Sequence, residues 1–343
     1  MLVHVPVDKN EAESFRNNWR GMEFQDPKFT VSDGDTIILT ALTIKTPTGK
    51  TYSYDNSKAL TYNVNSVAVD MVKWDGLISS GVRKHNVPLS DVDVKIPQTN
   101  ALNENTYVVV IANEDYTARG VRPVQFALHD GEIFAKYCEQ TLGVPPLNIR
   151  TYFNADYGAM VAAMDDIKKI AKTNHNIQVI FYYAGHGFPD PDTKSAYLLP
   201  TTSDGKTMAN CYSLNRLYSE LAALEARHVI GFFDACFSGA FTESRSVMFK
   251  PKEETPKGRM IILSAASGAE TAYPYQQKSH GLFTYFLLKK LQETKGNVTL
   301  KELTDYVKNN VYTKSQPINK SVQTPTLNVS PLFVNEWEDL LLR

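Results

Sequence analysis

From Thr106 onward, apolar residues gather in short unbroken runs that alternate with longer stretches of helical period. The run TYVVVIAN (106–113) is continuous enough to predict a strand buried on both faces. VQFALHDGEIFAKYCEQTLG (124–143) instead repeats its apolar residues every three or four positions and stops at Gly143, which predicts an amphipathic helix with a glycine end. The alternation continues. Strands are predicted at NIRTYFN (148–154), IQVIFYYAG (177–185), HVIGFFDA (228–235) and RMIILSAA (259–266). Helices are predicted at 157–173, 213–226, 281–294 and 299–311. Apolar strands separated by helices imply an α/β fold with a mainly parallel sheet, covered on both faces.

The first hundred residues follow a different rhythm. DTIILTALTIKTPTGKTYSYD (35–55) predicts two strands around a Thr-Pro-Thr-Gly turn, and ALTYNVNSVAVDMV (59–72) alternates as a strand does. A single helix is predicted there, near Glu11 to Trp19. SDVDVKIPQTNALNEN (90–105) has few apolar residues and reads as a linker. The expected organisation is therefore a small β-rich domain with its linker over residues 1–100, then an α/β domain over residues 101–343.

Composition narrows the function. A net charge of −1 gives no basic footprint for nucleic acid. No apolar run approaches the roughly 18 residues of a membrane span. The N-terminal stretch lacks the basic and apolar regions of a signal peptide, so either a cytoplasmic protein or an exported one with its signal removed fits. Three cysteines, Cys138, Cys211 and Cys236, are too few and too scattered for a disulfide framework, and none pairs with another Cys or a near His as a metal site would.

The chemistry lies at two strand ends. VIFYYAGHGF (179–188) and VIGFFDACFSGA (229–240) are apolar runs that close on His186 and on Cys236. In a parallel sheet, ligands and catalytic groups gather beyond the carboxyl ends of the strands. If these strands are neighbours, a thiol and an imidazole share one edge, as nucleophilic catalysis requires. The backbone N–H groups of Gly187 and Cys236 are then candidate donors to an oxyanion. The bland reading of a cysteine is a small core residue. It suits Cys138, inside a helix, and Cys211 reads as incidental in a loop. His85, His175 and His228 read as surface or element-boundary residues. His129 and His280 read as structural.

Together, YYAGHG and DACFSG resemble the caspase-like clan of cysteine peptidases, above all metacaspases and bacterial caspase-like proteins. The resemblance spans roughly residues 106–330. It includes VIANEDY, ALHDGEIF, AYLLP and SAASGAETAY…HGLFTYFLL, and leaves residues 1–100 uncovered. It implies a six-stranded sheet flanked by helices, a dyad of Cys236 and His186, and attack on peptide bonds. The caspase signature carries Gln two positions before the cysteine, whereas this chain has Asp234. In metacaspase-like relatives an acid there lines the pocket for the residue before the cut. Asp130 matches a second pocket acid, and residues 268–273 match part of the substrate groove.

The expected function is a cysteine endopeptidase that hydrolyses protein or peptide substrates after Arg or Lys. The alternative is a caspase-like binding or signalling module with little catalysis. A serine hydrolase is disfavoured by the absence of Gly-x-Ser-x-Gly. No cofactor is expected. Asp190, Asp192 and Asp204 form no compact loop able to give calcium its six to eight oxygens. The long polar stretch after Cys236 carries Arg245, Lys250, Lys252 and Lys257. Arg245 and Lys252 are the better candidates for self-cleavage and Lys257 a third, because Pro251 protects the bond after Lys250. Arg83 and Lys84 form a competing site.

Overall fold

The computed structural model describes residues 36–45, 51–63, 87–190, 192–205, 207–237, 255–268 and 270–343. The helix expected near Glu11 to Trp19, Arg83, Lys84 and His85 lie outside them. So does most of the stretch after Cys236, including Ser238, Gly239, Arg245, Lys250 and Lys252.

The chain divides into two compact units, Met1–Gly76 and Leu77–Arg343. Within the first, β1 (Thr36–Lys45) pairs antiparallel with β2 (Thr51–Asn63), so the strand pair around Thr-Pro-Thr-Gly is present. The register shifts between Leu39 and Ala41. The division falls near residue 76 rather than 100, because the stretch expected to be a linker is packed onto the second unit. Val92 is fully buried there, and Tyr137 donates its hydroxyl proton to the Val92 carbonyl at 2.8 Å. Asp91 meets Lys278 and Lys289.

The second unit is built on a six-stranded sheet in the order β13-β10-β9-β5-β3-β4. The strands are β3 (Thr106–Ala112), β4 (Ile149–Phe153), β5 (Gln178–Ala184), β9 (His228–Asp234), β10 (Met260–Ser264) and β13 (Thr326–Val329). All neighbours run parallel except β13, which is antiparallel to β10. A smaller three-stranded sheet joins β6 (Gly187–Pro189), β7 (Ala196–Leu198) and β8 (Tyr212–Ser213). A short antiparallel pair joins β11 (Pro274–Tyr275) and β12 (His280–Gly281).

Every residue of β5 and β9 is buried, which explains why both read as unbroken apolar runs. Their side chains still alternate between faces. Ile180, Tyr182 and Ala184 join one core with Phe134 of α1 (Ala127–Gln140), Leu287 of α4 (Leu282–Thr294) and Val307 of α5 (Leu300–Asn319). Val179, Phe181 and Tyr183 join the other with Ile167 of α2 (Tyr157–Thr173) and Leu217 of α3 (Leu214–Ala222). Each Val, Leu, Ile or Phe among them contributes roughly 1.5–3 kcal/mol on burial. Local signals start the helices: Asp156 caps α2 through the Ala159 N–H, and Thr299 and Glu302 form a capping box on α5.

His228 opens β9 and is buried, with Nε2 2.5 Å from Gln178 Oε1, so it is an element-boundary residue but not a surface one. Cys138 lies in the core under α1, where burial pushes its thiol pKa up.

Candidate active site

The parallel register sets the site. Ala184 at the end of β5 lies opposite Asp234 at the end of β9. His186 and Cys236 each follow two residues later, so both leave the same edge of the sheet. The two turns also touch. A Cβ added to Gly187 would lie 2.6 Å from the Phe237 ring and 3.0 Å from the Cys236 carbonyl, so this approach requires glycine. Gly187 then pairs across the small sheet with Leu198.

His186 is held on every side. Its Nε2–H donates to the Arg122 carbonyl at 2.6 Å, which leaves Nδ1 as the basic nitrogen. Its backbone N–H donates to the Tyr116 hydroxyl, whose ring lies 4.8 Å away, centroid to centroid. Its carbonyl accepts from the Tyr183 hydroxyl at 2.8 Å and from the Leu199 N–H. Burial pushes the imidazole pKa down to about 4, and the Arg122 carbonyl offsets only part of that fall. The ring is therefore neutral at pH 7. Cys236 is half-buried at the mouth of the same cleft.

That cleft has a volume of about 310 Å³. His186, Cys236, Asp234 and Asp130 all line it, with Thr271, Ala272 and Tyr273 from the segment expected to border the groove. Asp130 is 2 % exposed and Asp234 7 % exposed. Asp234 Oδ2 accepts from the Thr284 hydroxyl at 2.7 Å and from its backbone N–H at 3.2 Å. Asp130 Oδ2 accepts from the Gly281 N–H at 2.8 Å. Gly281 lies against both carboxylates, where any added Cβ would collide with Asp234 Oδ2.

Burial first, and the charge of Asp130 second, push Asp234 up to about 7. Burial also raises Asp130, against the opposing pull of His280. Behind Asp130 lie residues that sequence reasoning did not assign to the site. His280 Nδ1 is 2.5 Å from Asp130 Oδ1, and its Nε2 is 2.8 Å from Asp93 Oδ1. Burial disfavours its charged form, but the two carboxylates outweigh that and raise it to about 9. His129 Nε2 is 3.2 Å from the other oxygen of Asp93. Their separations along the chain are 151 and 187 residues for His280 with His129 and Asp93, so no local pattern pointed to them.

The remaining candidates lie elsewhere. Asp190 uses its carboxylate on the Asp192 N–H and the Thr193 hydroxyl. Glu270 caps the Thr324 N–H and hydroxyl. His175 is exposed beside Glu225. Cys211 is buried against the Ser203 hydroxyl. Lys257 is exposed, immediately after buried Pro256.

Among known families, the profile described as "Caspase domain" matches residues 105–335. No curated protein matches the sequence. Among solved structures, caspase-1 from Spodoptera frugiperda is similar at 14 % identity with a TM-score of 0.49, over 71 % of this chain and 94 % of that one. Protein GSU0716 from Geobacter sulfurreducens is similar at 16 % identity with a TM-score of 0.51, over 70 % of this chain and the whole of that one. At 16 % identity the likeness to GSU0716 is one of fold.

Proposed function

The chain belongs to the caspase-domain family and is a cysteine-type peptidase; from that premise we propose that it is an endopeptidase cutting after Arg or Lys, with Cys236 as nucleophile and His186 as base. The observation that carries this reading is one cleft lined by a thiol, a neutral imidazole and two buried carboxylates.

The steps follow from those groups. A peptide bond enters the cleft with its basic side chain directed at Asp234. Both hydrogen bonds to Asp234 fall on Oδ2, leaving Oδ1 for the guanidinium or ammonium. Asp130 is already engaged by His280 and Gly281, so it adds field more than a direct bond. His186 Nδ1 takes the thiol proton as Cys236 Sγ attacks the carbonyl carbon. The N–H groups of Gly187 and Cys236 receive the oxyanion. His186 returns the proton to the departing amine, and water then hydrolyses the thioester. The same chemistry on its own chain gives self-processing, after Arg245 or Lys252 first and Lys257 next.

The test is a panel of fluorogenic peptides that differ only in the residue before the cut, assayed with wild type, Cys236→Ala and His186→Ala. Turnover after Arg and Lys, lost in both variants while their thermal melts stay near wild type, supports the reading. Preference for Asp or for large apolar residues refutes the pocket, and activity retained by Cys236→Ala refutes the nucleophile. Intact masses of incubated wild type and Cys236→Ala decide self-processing: fragments ending at Arg245 or Lys252 should form only in wild type.

A further inference from the structure

Asp93, His129 and His280 converge behind the pocket from three separate parts of the chain. We infer that they form a binding site for a zinc-like transition-metal dication, with His129 Nε2, His280 Nε2 and an Asp93 carboxylate oxygen as ligands and Asp130 as the outer partner of His280.

Four observations carry this. First, the three ligand atoms lie within 4.8 Å of one another, with His280 Nε2 2.8 Å from Asp93 Oδ1 and His129 Nε2 3.2 Å from Asp93 Oδ2. Ligand atoms around a tetrahedral zinc with bonds near 2.1 Å are about 3.4 Å apart, so small side-chain shifts admit the ion. Second, His129 Nε2 is buried and makes no hydrogen bond, although it points at Asp93. A nitrogen held this way is short of a partner that a cation would supply. Third, His280 presents its other nitrogen, Nδ1, to the Asp130 carboxylate. A carboxylate behind a ligating histidine fixes the ring and raises its basicity, as outer partners do at metal sites. Fourth, the two imidazole rings lie 4.7 Å apart and share the Asp93 carboxylate between them. Two nitrogens and an oxygen suit zinc and do not suit calcium or magnesium.

The site would tie together three elements that already meet through hydrogen bonds: the segment carrying Asp93, helix α1 carrying His129, and the turn carrying His280 and Gly281. Both Asp130 and Gly281 border the cleft, so the ion would brace the pocket wall from behind without touching the proposed dyad. Three protein ligands leave a fourth position for water.

The experiment uses the full chain with Cys236→Ala, which removes the thiol of the cleft as a competing ligand. The protein is stripped with a chelator, then titrated with zinc against a chromophoric competitor. One zinc per chain is expected, together with a rise in melting temperature. His129→Gln keeps a helix-forming, polar residue, and its metal-free melt checks that it folds. It should bind zinc at least about tenfold more weakly and lose the melting shift. Asp130→Asn should weaken binding by about tenfold to a hundredfold. Cobalt should give the intense visible bands of a tetrahedral centre in the parent and not in His129→Gln. A parent chain that retains no zinc overturns the site. So does zinc held equally well by folded His129→Gln.

Discussion

Burial and the nearby charge of Asp130 bring the Asp234 carboxyl to about 7, while burial brings His186 down to about 4. Under the proposed function, the two shifts separate binding from base catalysis on the pH axis. Above about pH 4 the imidazole is neutral and able to take a proton. Between there and about 7 the pocket acid is largely protonated and attracts a cation poorly. Cleavage after Arg should therefore rise as pH increases through about 7, while cleavage after citrulline, the uncharged counterpart of Arg, should change much less. The measurement is the ratio of kcat/KM for the two peptides from pH about 5 to about 8. Asp234→Asn should flatten that ratio and lower turnover of the Arg peptide roughly tenfold or more, since each 1.4 kcal/mol is a factor of ten. A ratio that stays level in wild type would place the recognition of charge elsewhere.

At the level of elements, the turn β12–α4 sets the pocket as firmly as the strands do. Gly281 donates to Asp130 and leaves no room beside Asp234. Gly281→Ala should therefore displace both carboxylates, cost roughly 1–3 kcal/mol by overpacking, and reduce cleavage after Arg more than its loss of stability explains. Paired denaturation curves and peptide kinetics check this. The β-strands that lead to His186 and Cys236 were plain in the sequence because each is an uninterrupted apolar run buried on both faces. Strand β13 was not. Its four residues, TLNV, are only half-buried at the sheet edge, and they include a polar Asn. Short edge strands carry little periodic signal. Likewise the shared sheet edge of His186 and Cys236 was readable from two strand ends, whereas Asp93 sat in a polar stretch that read as a linker. Only the buried Val92 between two acids distinguished it, and an alternation that short is ambiguous.

For the molecule as a whole, acid should act on the fold through two buried histidines. Burial holds both His186 and His228 near a pKa of about 4, against an ordinary 6.5. Between those values the unfolded chain binds protons at these two rings that the folded one refuses, so both rings contribute a fall in stability as pH drops from about 6.5 to about 4, opposed by Asp234, which takes up its proton in the folded chain from about 7. His228→Gln removes one of those refused protons and should reduce the slope of melting temperature against pH in that window. An unchanged slope would deny His228 the role. The boundary between the two units makes a second test. A chain beginning at Leu77 should fold and keep peptidase activity, because it retains Val92 and the contacts of Asp91 and Asp93. A chain beginning at residue 101 loses them all and should melt lower or aggregate. Finally, the ladder that sets Ala184 against Asp234 frees the intervening residues from any duty to measure distance. Over generations, insertions and deletions between His186 and Cys236 can accumulate wherever the chain is exposed, for instance around Asp192 and Thr193. The two-residue step from each strand end to its reactive side chain cannot drift in the same way. Descendants of this chain should therefore vary in the length between the two motifs and agree in those two short intervals.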